Sequence, residues 1–266
     1  MALTGESLDH HACNLSALPA DLVGRFVQLE PGSEESFDAL RARRHGAWKT
    51  RLHSLMRYFL SDFDVNGLLG MYAMHLLDTP QWQQLLGPPG QERLIDVGAG
   101  SGDVTSTLSP LFGTVTTTET SWAMARRLER RGYLCFRVDV AETGIPDEPW
   151  DAISCLNVLD RCARPLSLLR RLAAALAPGG RLVLSMPLPY MPIVFEGGVT
   201  REPDEPLPLA DRASWEAGVA ALVERVLSPA GLSVQRFARA PYVSAGDAYH
   251  PLYVLDDVIV VCRIRT

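Results

Sequence analysis

Several features are missing from this 266-residue chain, and each absence excludes a class of protein. No run reaches the roughly 18 consecutive apolar residues that a membrane span needs, so we expect no membrane span. The five cysteines are odd in number and show no C-x-x-C spacing, which argues against a disulfide framework and a zinc site. No basic start followed by an apolar core opens the chain, so we predict an intracellular, cytoplasmic location, with endomembrane or mitochondrial association left open.

The chain also lacks an excess of positive charge. Its 25 lysines and arginines and 31 acidic residues give a formal net charge of −6, which does not suit a nucleic-acid partner. The 47% hydrophobic and 21% charged residues are typical of a globular protein with a sizeable core. We therefore predict one large domain, or one domain with an extension, that binds neither nucleic acid nor a metal.

The first ninety residues have a helical pattern. Apolar residues recur at helical spacing over 36–63, residues 62–67 interrupt the pattern, and 68–77 is a further helix candidate. Thr79 would cap the next helix, with a proline in its first turn. We predict a helical N-terminal extension over residues 1–90 and a second domain over 91–266.

From residue 91 the pattern alternates between short apolar strands and helices, which predicts a parallel sheet with helices on both faces. The predicted strands are 93–97, 114–118, 133–138, 151–156 and 181–186, and the predicted helices are 104–111, 121–131 and 164–176. After a helix at 211–228, strands at 232–239 and 257–264 have no helix between them and must pair antiparallel. A mostly parallel α/β sheet finished by an antiparallel hairpin is the Rossmann-like architecture of class I methyltransferases.

A glycine-rich turn follows the first predicted strand. Asp96 lies near the end of that strand, and Gly98, Gly100 and Gly102 follow at alternate positions. Glycine lacks a Cβ and tolerates positive φ, so the backbone can turn tightly against a ligand. The spacing departs from the G-x-G-x-x-G of dinucleotide enzymes and resembles the first motif of enzymes that use S-adenosylmethionine (SAM). We assign these four residues to binding SAM, with S-adenosylhomocysteine (SAH) as the product.

Three further elements, taken together with the turn, favour SAM over NAD, and we assign Glu119 and Asp139 among them to cofactor binding. Glu119 ends the second strand roughly 20 residues after the turn, where an acid can accept both ribose hydroxyls, although it would also suit NAD. Asp139 follows the third strand, where an acid can lie near the adenine amino group or can cap the next segment. Residues 176–182 resemble the L-x-P-G-G turn that precedes the fifth strand of SAM-dependent methyltransferases.

The fourth strand ends in Cys-Leu-Asn-Val-Leu-Asp-Arg-Cys, residues 155–162. The carboxyl ends of strands face the ligand crevice in such sheets, so Asn157 and Asp160 stand where a methyl acceptor should lie. We assign both residues to catalysis, Asn157 also to cofactor binding, and Arg161 to substrate binding. Asp160 could instead pair with Arg161 or cap the following helix.

These motifs resemble the DREV family of methyltransferases. The matching segments are 63–70, 96–105, 155–162, 187–192, 240–242, 246–247 and 253–258, within about residues 50–264. The resemblance implies transfer of a methyl group from SAM to the N-pros (Nπ) nitrogen of histidine in His-x-His motifs of protein substrates. It also makes Tyr242 and Tyr253 candidate substrate contacts, although either could equally be a core aromatic.

The implied chemistry suits the residues at the fourth strand. Only neutral imidazole has a lone pair for the methyl group, and a pKa near 6.5 leaves much of it neutral at pH 7. Asp160 would accept the N–H of the far nitrogen and so select the tautomer, while Asn157 would hold the ring or a peptide carbonyl. Methylation of a small molecule and SAM binding without turnover stay open. Asp256 and Asp257 either shape the start of the last strand or contact substrate.

Overall fold

The computed structural model describes residues 12–196, 199–211, 213–247 and 250–265. Its strands are β1 (Met74–His75), β2 (Arg93–Val97), β3 (Thr114–Thr118), β4 (Leu134–Phe136), β5 (Trp150–Leu156), β6 (Leu176–Pro187), β7 (Val194–Glu196), β8 (Val199–Arg201), β9 (Leu232–Ala245) and β10 (Leu252–Ile264). Its helices are α1 (Ala20–Val23), α2 (Glu34–Ala42), α3 (Ala47–Met56), α4 (Asp62–Leu69), α5 (Thr79–Leu86), α6 (Asp103–Leu108), α7 (Trp122–Arg130), α8 (Val140–Thr143), α9 (Pro165–Ala174) and α10 (Trp215–Leu222).

Eight of these strands form one sheet in the order β1-β9-β10-β6-β5-β2-β3-β4. The strands β4, β3, β2, β5 and β6 are parallel, and β10 lies antiparallel between β6 and β9. The predicted class I methyltransferase architecture is therefore confirmed. The strands β2 and β3 have the predicted bounds. In contrast, β9 and β10 are longer than predicted because they pair with each other as far as Ala245 and Leu252.

Apolar side chains cover both faces of this sheet. The helices α9 and α10 pack on one face through residues such as Leu172 and Val219. On the other face, Leu77 and Trp82 from the first ninety residues pack with α6. Both side chains are fully buried, and burying one such side chain contributes about 1.5–3 kcal/mol. The strand β1 also joins the sheet, as the antiparallel partner of β9.

The helical prediction for the N-terminal part is wrong in detail. The segment 36–63, predicted as one helix, contains α2, a non-helical turn, α3 and the start of α4. The segment 68–77, predicted as a helix, contains β1. Its backbone pairs with the edge of β9, a distant partner that helical periodicity does not reveal. Thr79 begins α5 but does not cap it, because the capping side chain is that of Asp78.

The predicted break at 62–67 is instead part of α4. Ser61 caps this helix by accepting the N–H of Asp64 at 3.1 Å, and acids in the first turn suit the helix dipole. Gly67 lies within this helix, and only glycine fits there because a Cβ would lie 2.8 Å from the Cβ of Ala123 in α7. The Asn-Gly pair therefore marks a close contact between helices, not a turn.

The C-terminal helix also departs from its predicted bounds of 211–228. The helix α10 begins after Ser214, whose hydroxyl accepts the N–H of Ala217 at 3.2 Å. It continues into a π-helical turn, Val223–Leu227. Within the described ranges, no helix has both the length and the apolarity that crossing a bilayer requires.

Candidate active site

The glycine turn joins β2 to α6 at the carboxyl edge of the parallel strands. Its three glycines have φ values of 71° at Gly98, 57° at Gly100 and 79° at Gly102. A Cβ at Gly98 would lie 2.7 Å from Cγ2 of Val158, in addition to the strain of this φ. The turn therefore leaves bare backbone facing the crevice, as a cradle for a close-fitting ligand requires.

Glu119 lies against this turn, as the sequence spacing predicts. Its Oε2 accepts the N–H of Gly100 at 2.9 Å, and its Oε1 accepts the N–H groups of Thr120 and Ser121 at 2.8 and 3.0 Å. Burial raises the pKa of Glu119, while these backbone hydrogen bonds lower it, and the net direction is upward. The carboxylate therefore tethers the end of β3 to the turn.

Asp96 lies beneath the turn and is almost fully buried. Its two oxygens accept the hydroxyls of Thr105 and Ser154 at 2.6 and 2.7 Å. Burial raises the pKa of Asp96 to about 6, although both hydrogen bonds lower it. Both oxygens are thus used in joining β2 to α6 and β5, which makes Asp96 a support for the turn.

Asp139 forms the helix cap that was the alternative to its predicted contact with the cofactor. It is exposed, and its carboxylate caps α8 by accepting the N–H of Ala141 at 2.9 Å. An N-cap of this kind accounts for an acid after β4. No contact joins Asp139 to the glycine turn among the hydrogen bonds of the described residues.

Asn157 and Asp160 follow β5 directly. Asn157 has a φ of 55°, and its Oδ1 accepts the hydroxyl of Ser185 in β6. Asp160 is fully buried, and its Oδ2 accepts the Nε–H of Arg161 at 2.8 Å. Within the described part of the chain, Nδ2 of Asn157 and Oδ1 of Asp160 are buried without a hydrogen-bond partner. The end of β5 therefore has both a donor and an acceptor unused.

Two opposing effects of the surroundings act on the pKa of Asp160. Burial raises its pKa, and the adjacent guanidinium of Arg161 acts in the opposite direction, with a net upward result. The pairing of Asp160 with Arg161, an alternative at the sequence level, is present but occupies only one carboxylate oxygen. The other oxygen is available to an incoming N–H group.

Tyr242 belongs to a polar cluster that also contains Asn157, Asp160, Ser185 and Asp257. Its hydroxyl donates to Sδ of Met74 in β1. Burial and the negative charges of Asp257 and Asp160 raise the pKa of this phenol. The structure thus brings Tyr242 near Asp160, which follows β5, and Asp257, which lies within β10.

Tyr253 lies in a different group of aromatic residues. Its hydroxyl donates to Oδ2 of Asp247 at 2.7 Å, and its ring centroid is 6.2 Å from that of Tyr72. Burial and Asp247 raise the pKa of Tyr253. The backbone N–H of Tyr72 donates to Nε2 of His45 at 2.8 Å, so N-terminal residues complete this group.

Ser185 and Met74 have no predicted role, although both join the polar cluster. Ser185 interrupts the otherwise apolar run 182–187 in β6, and that exception to the pattern could have indicated it. Met74 offers no such signal, because only the pairing of β1 with β9 brings it to Tyr242. Asp257, left open between two roles, is fully buried beside Ser185 and Asn157.

A cavity of about 400 Å³ lies next to the glycine turn. Ser101 and Asp103 line one side of it, and basic side chains including Arg43, Lys49 and Arg127 line the other. Within the ranges that the structure describes, no group of three or more His, Cys, Asp or Glu side chains could hold a metal ion.

The sheet order, the glycine turn and the polar strand ends are those of the class I SAM-dependent methyltransferase fold. The chain belongs to the DREV methyltransferase family, which matches residues 11–264. SAM is the cofactor of this class, as predicted. The glycine turn fits SAM, because Gly98, Gly100 and Gly102 all have positive φ and have no side chain to keep a ligand away from the backbone.

Curated relatives match only part of the chain. The ubiquinone biosynthesis O-methyltransferase of Xanthomonas campestris pv. campestris (strain B100) is 30% identical over 100 residues, 35% of this chain and 42% of the relative. The demethylmenaquinone methyltransferase of Tropheryma whipplei (strain Twist) is 26% identical over 148 residues, 53% of this chain and 60% of the relative. The chain thus spans less than two thirds of the length of either relative.

Solved structures resemble this fold at low sequence identity. The [4+2]-cyclase SpnF has a TM-score of 0.48 and 17% identity, covering 71% of this chain and 80% of its own. The magnesium protoporphyrin IX methyltransferase of Synechocystis PCC 6803, solved with bound SAM, has a TM-score of 0.42 and 17% identity, covering 67% and 71%.

Proposed function

We propose that this protein transfers the methyl group of SAM to the Nπ nitrogen of histidine in His-x-His motifs of protein substrates. The observation that carries the proposal is the buried Asp160 carboxylate, whose Oδ1 has no hydrogen-bond partner among the described residues. A buried acceptor left in this state costs about 1–3 kcal/mol, which an N–H group from a ligand would offset. An imidazole ring has one such N–H.

The proposed roles follow from how imidazole reacts. Asp160 accepts the N–H of the far ring nitrogen, which leaves the lone pair on Nπ directed at the methyl group. Asn157 donates its unused Nδ2 hydrogens to the substrate, and Tyr242 forms a wall of the pocket. Because the reactive ring is already neutral at pH 7, alignment within about 3–3.5 Å of the methyl group supplies most of the acceleration.

The residues around the glycine turn would hold the donor. The backbone from Gly98 to Gly102 would lie against the amino-acid part of SAM. Glu119 would accept the ribose hydroxyls with its remaining lone pairs while it keeps its bonds to the backbone N–H groups. Asp96 would keep the turn in place from beneath. Arg161 would contact the peptide substrate while it keeps its hydrogen bond to Asp160. The N-terminal extension, whose residues between 42 and 73 line the cavity beside the glycine turn, would cover the cofactor.

The named activity of the ubiquinone relative suggests a second candidate, O-methylation of a small molecule. An acidic oxygen acceptor such as a phenol attacks as its anion, and an anion next to the buried Asp160 would be repelled. The site therefore favours a nitrogen acceptor over this alternative.

The test supplies SAM with a labelled methyl group and a peptide containing Ala-His-Ala-His. We expect label on the peptide and, after acid hydrolysis, in Nπ-methylhistidine but not in the isomer methylated on the other ring nitrogen. The control peptide replaces both histidines with glutamine. Label on catechol or a small amine, with none on the histidine peptide, would contradict the proposal.

A further inference from the structure

Asp257 lies in β10, where this strand passes between β6 and β9. Its register partners are Pro187 and Ala240, whose side chains have no hydrogen-bonding group. Asp257 is fully buried, and neither of its carboxylate oxygens has a hydrogen-bond partner among the described residues. A buried carboxylate without a partner destabilises a fold, so this residue needs an explanation other than stability.

The preceding residue shows what a structural acid looks like in the same strand. Asp256 alternates to the other face of the sheet, where Arg239 donates to its two oxygens at 2.9 and 2.6 Å. One acid of the Asp256-Asp257 pair is thus held by a cation, and the other is left without one.

Asp257 pairs with Pro187 of β6, two residues after Ser185, so the register places Asp257 and Ser185 on the same face of the sheet, next to Asn157 at the end of β5. The Ser185 hydroxyl donates to Asn157, so it is not free to satisfy Asp257. The Asn157 amide and the Ser185 hydroxyl act to lower the pKa of Asp257, but burial and the charge of Asp160 outweigh them and raise it. The two carboxylates are therefore close enough to repel each other, and each has at least one unpaired oxygen.

We propose that Asp257 and Asp160 together form the end of the acceptor pocket, and that this pair selects a neutral nitrogen acceptor over an oxygen acceptor. The inference rests on the proposed methyl transfer at this site. A phenolate or carboxylate acceptor is repelled by the ionised form of each of these acids and raises the pKa of both further. A neutral ring nitrogen meets no such repulsion, and the cation that it becomes lowers the pKa of both acids and is attracted to their ionised forms.

The charge balance of the transfer explains why two acids help. The nitrogen lone pair forms the new N–C bond while the S–C bond breaks and leaves its electron pair on sulfur. The positive charge of the sulfonium thus passes to the ring. Asp160 holds the ring N–H, whereas Asp257 stabilises the arriving charge without taking a proton. The proton on the far nitrogen is lost to water after the product leaves.

The experiment compares Asp257→Asn with Asp256→Asn, two isosteric changes at adjacent positions on opposite faces. Asp257→Asn should lower kcat for the histidine peptide roughly ten- to a hundred-fold, because it removes charge stabilisation of the transition state. Its SAH affinity should be unchanged, and its Tm should be equal to or above that of the wild type. Asp256→Asn should lower Tm by breaking the Arg239 pair and should keep kcat.

Acceptor selectivity gives a readout that a structural role would not change. The ratio of methyl transfer to the peptide over transfer to catechol should fall about ten-fold in Asp257→Asn. If the wild type is active on the peptide, and kcat and this ratio in Asp257→Asn are within about two-fold of the wild-type values, this inference is overturned but the proposed function is not. Wild-type transfer to catechol without transfer to the peptide would overturn the proposed function itself. If Asp257→Asn does not fold, Asp257→Ser, which has a smaller side chain, is measured against the same outcomes.

Discussion

The two halves of the crevice bury their acids in opposite ways. On the donor side, Asp96 and Glu119 are buried, and each carboxylate oxygen accepts a hydrogen bond from the protein. On the acceptor side, Asp160 and Asp257 are buried even more completely, yet oxygens of both lack a partner in the described part of the chain.

This difference separates support from recognition. Buried polar groups in proteins are usually satisfied, and those of the donor side follow that rule because they hold the glycine turn in shape. The unsatisfied groups of the acceptor side suit a pocket that a ligand completes. The donor side therefore has its shape before SAM arrives, and the acceptor side would reach its lowest free energy only with substrate bound.

The largest expected effect is on the acceptor side. Asp160→Asn should lower turnover roughly a thousand-fold, because the amide no longer selects the reactive tautomer or stabilises the charged product. SAH affinity, measured by calorimetry, should be unchanged. The matched control is Asp151→Asn at the other end of β5, where the carboxylate accepts the backbone N–H of Arg93 at 2.9 Å. Loss of SAH binding in Asp160→Asn would place this residue on the donor side instead.

A smaller effect is expected from the acid beneath the turn. Burial raises the pKa of Asp96 from 3.8 to about 6, so between these values the folded protein holds a proton that the unfolded chain has lost. The stabilisation that comes from this tighter proton binding by the folded protein is complete below pH 3.8 and is lost as the pH rises to about 6. Between pH 4 and pH 7, wild-type protein should lose about 2–3 kcal/mol more unfolding free energy than Asp96→Asn, as followed by urea denaturation. Equal losses in the two proteins would contradict the shifted pKa.

The smallest effect tests the shape of the turn. Gly98→Ala places a Cβ 2.7 Å from Val158 at a φ of 71°, which should weaken SAH binding about ten-fold. Gly231→Ala is the control, since its φ is 75° and no atom lies within 4 Å of the added Cβ. The control should lose a similar amount of stability to backbone strain while it keeps SAH affinity. Equal weakening of SAH binding in both variants would mean that backbone strain, not the cradle, is responsible.

The same contrast separates what could be predicted at the candidate site from what could not. The glycine turn and Glu119 could be predicted together because the length of the βαβ unit sets the number of residues from one strand end to the next. Asp139 also follows its strand as predicted, but a local cap takes up its carboxylate. Met74 and Asp257 escape assignment because their importance depends on which strands become neighbours.

The sequence by itself determined the alternation of strands and helices, the bounds of β2 and β3 and the position of the glycine turn. These features follow from side-chain periodicity and from the backbone freedom of glycine, which act over a few residues. Only the tertiary structure decided that β1 pairs with β9 and that Asp257 lies beside Asp160. The physical reason is that β10 enters the sheet between β6 and β9, and strand pairing between distant segments brings together acids that lie far apart along the chain.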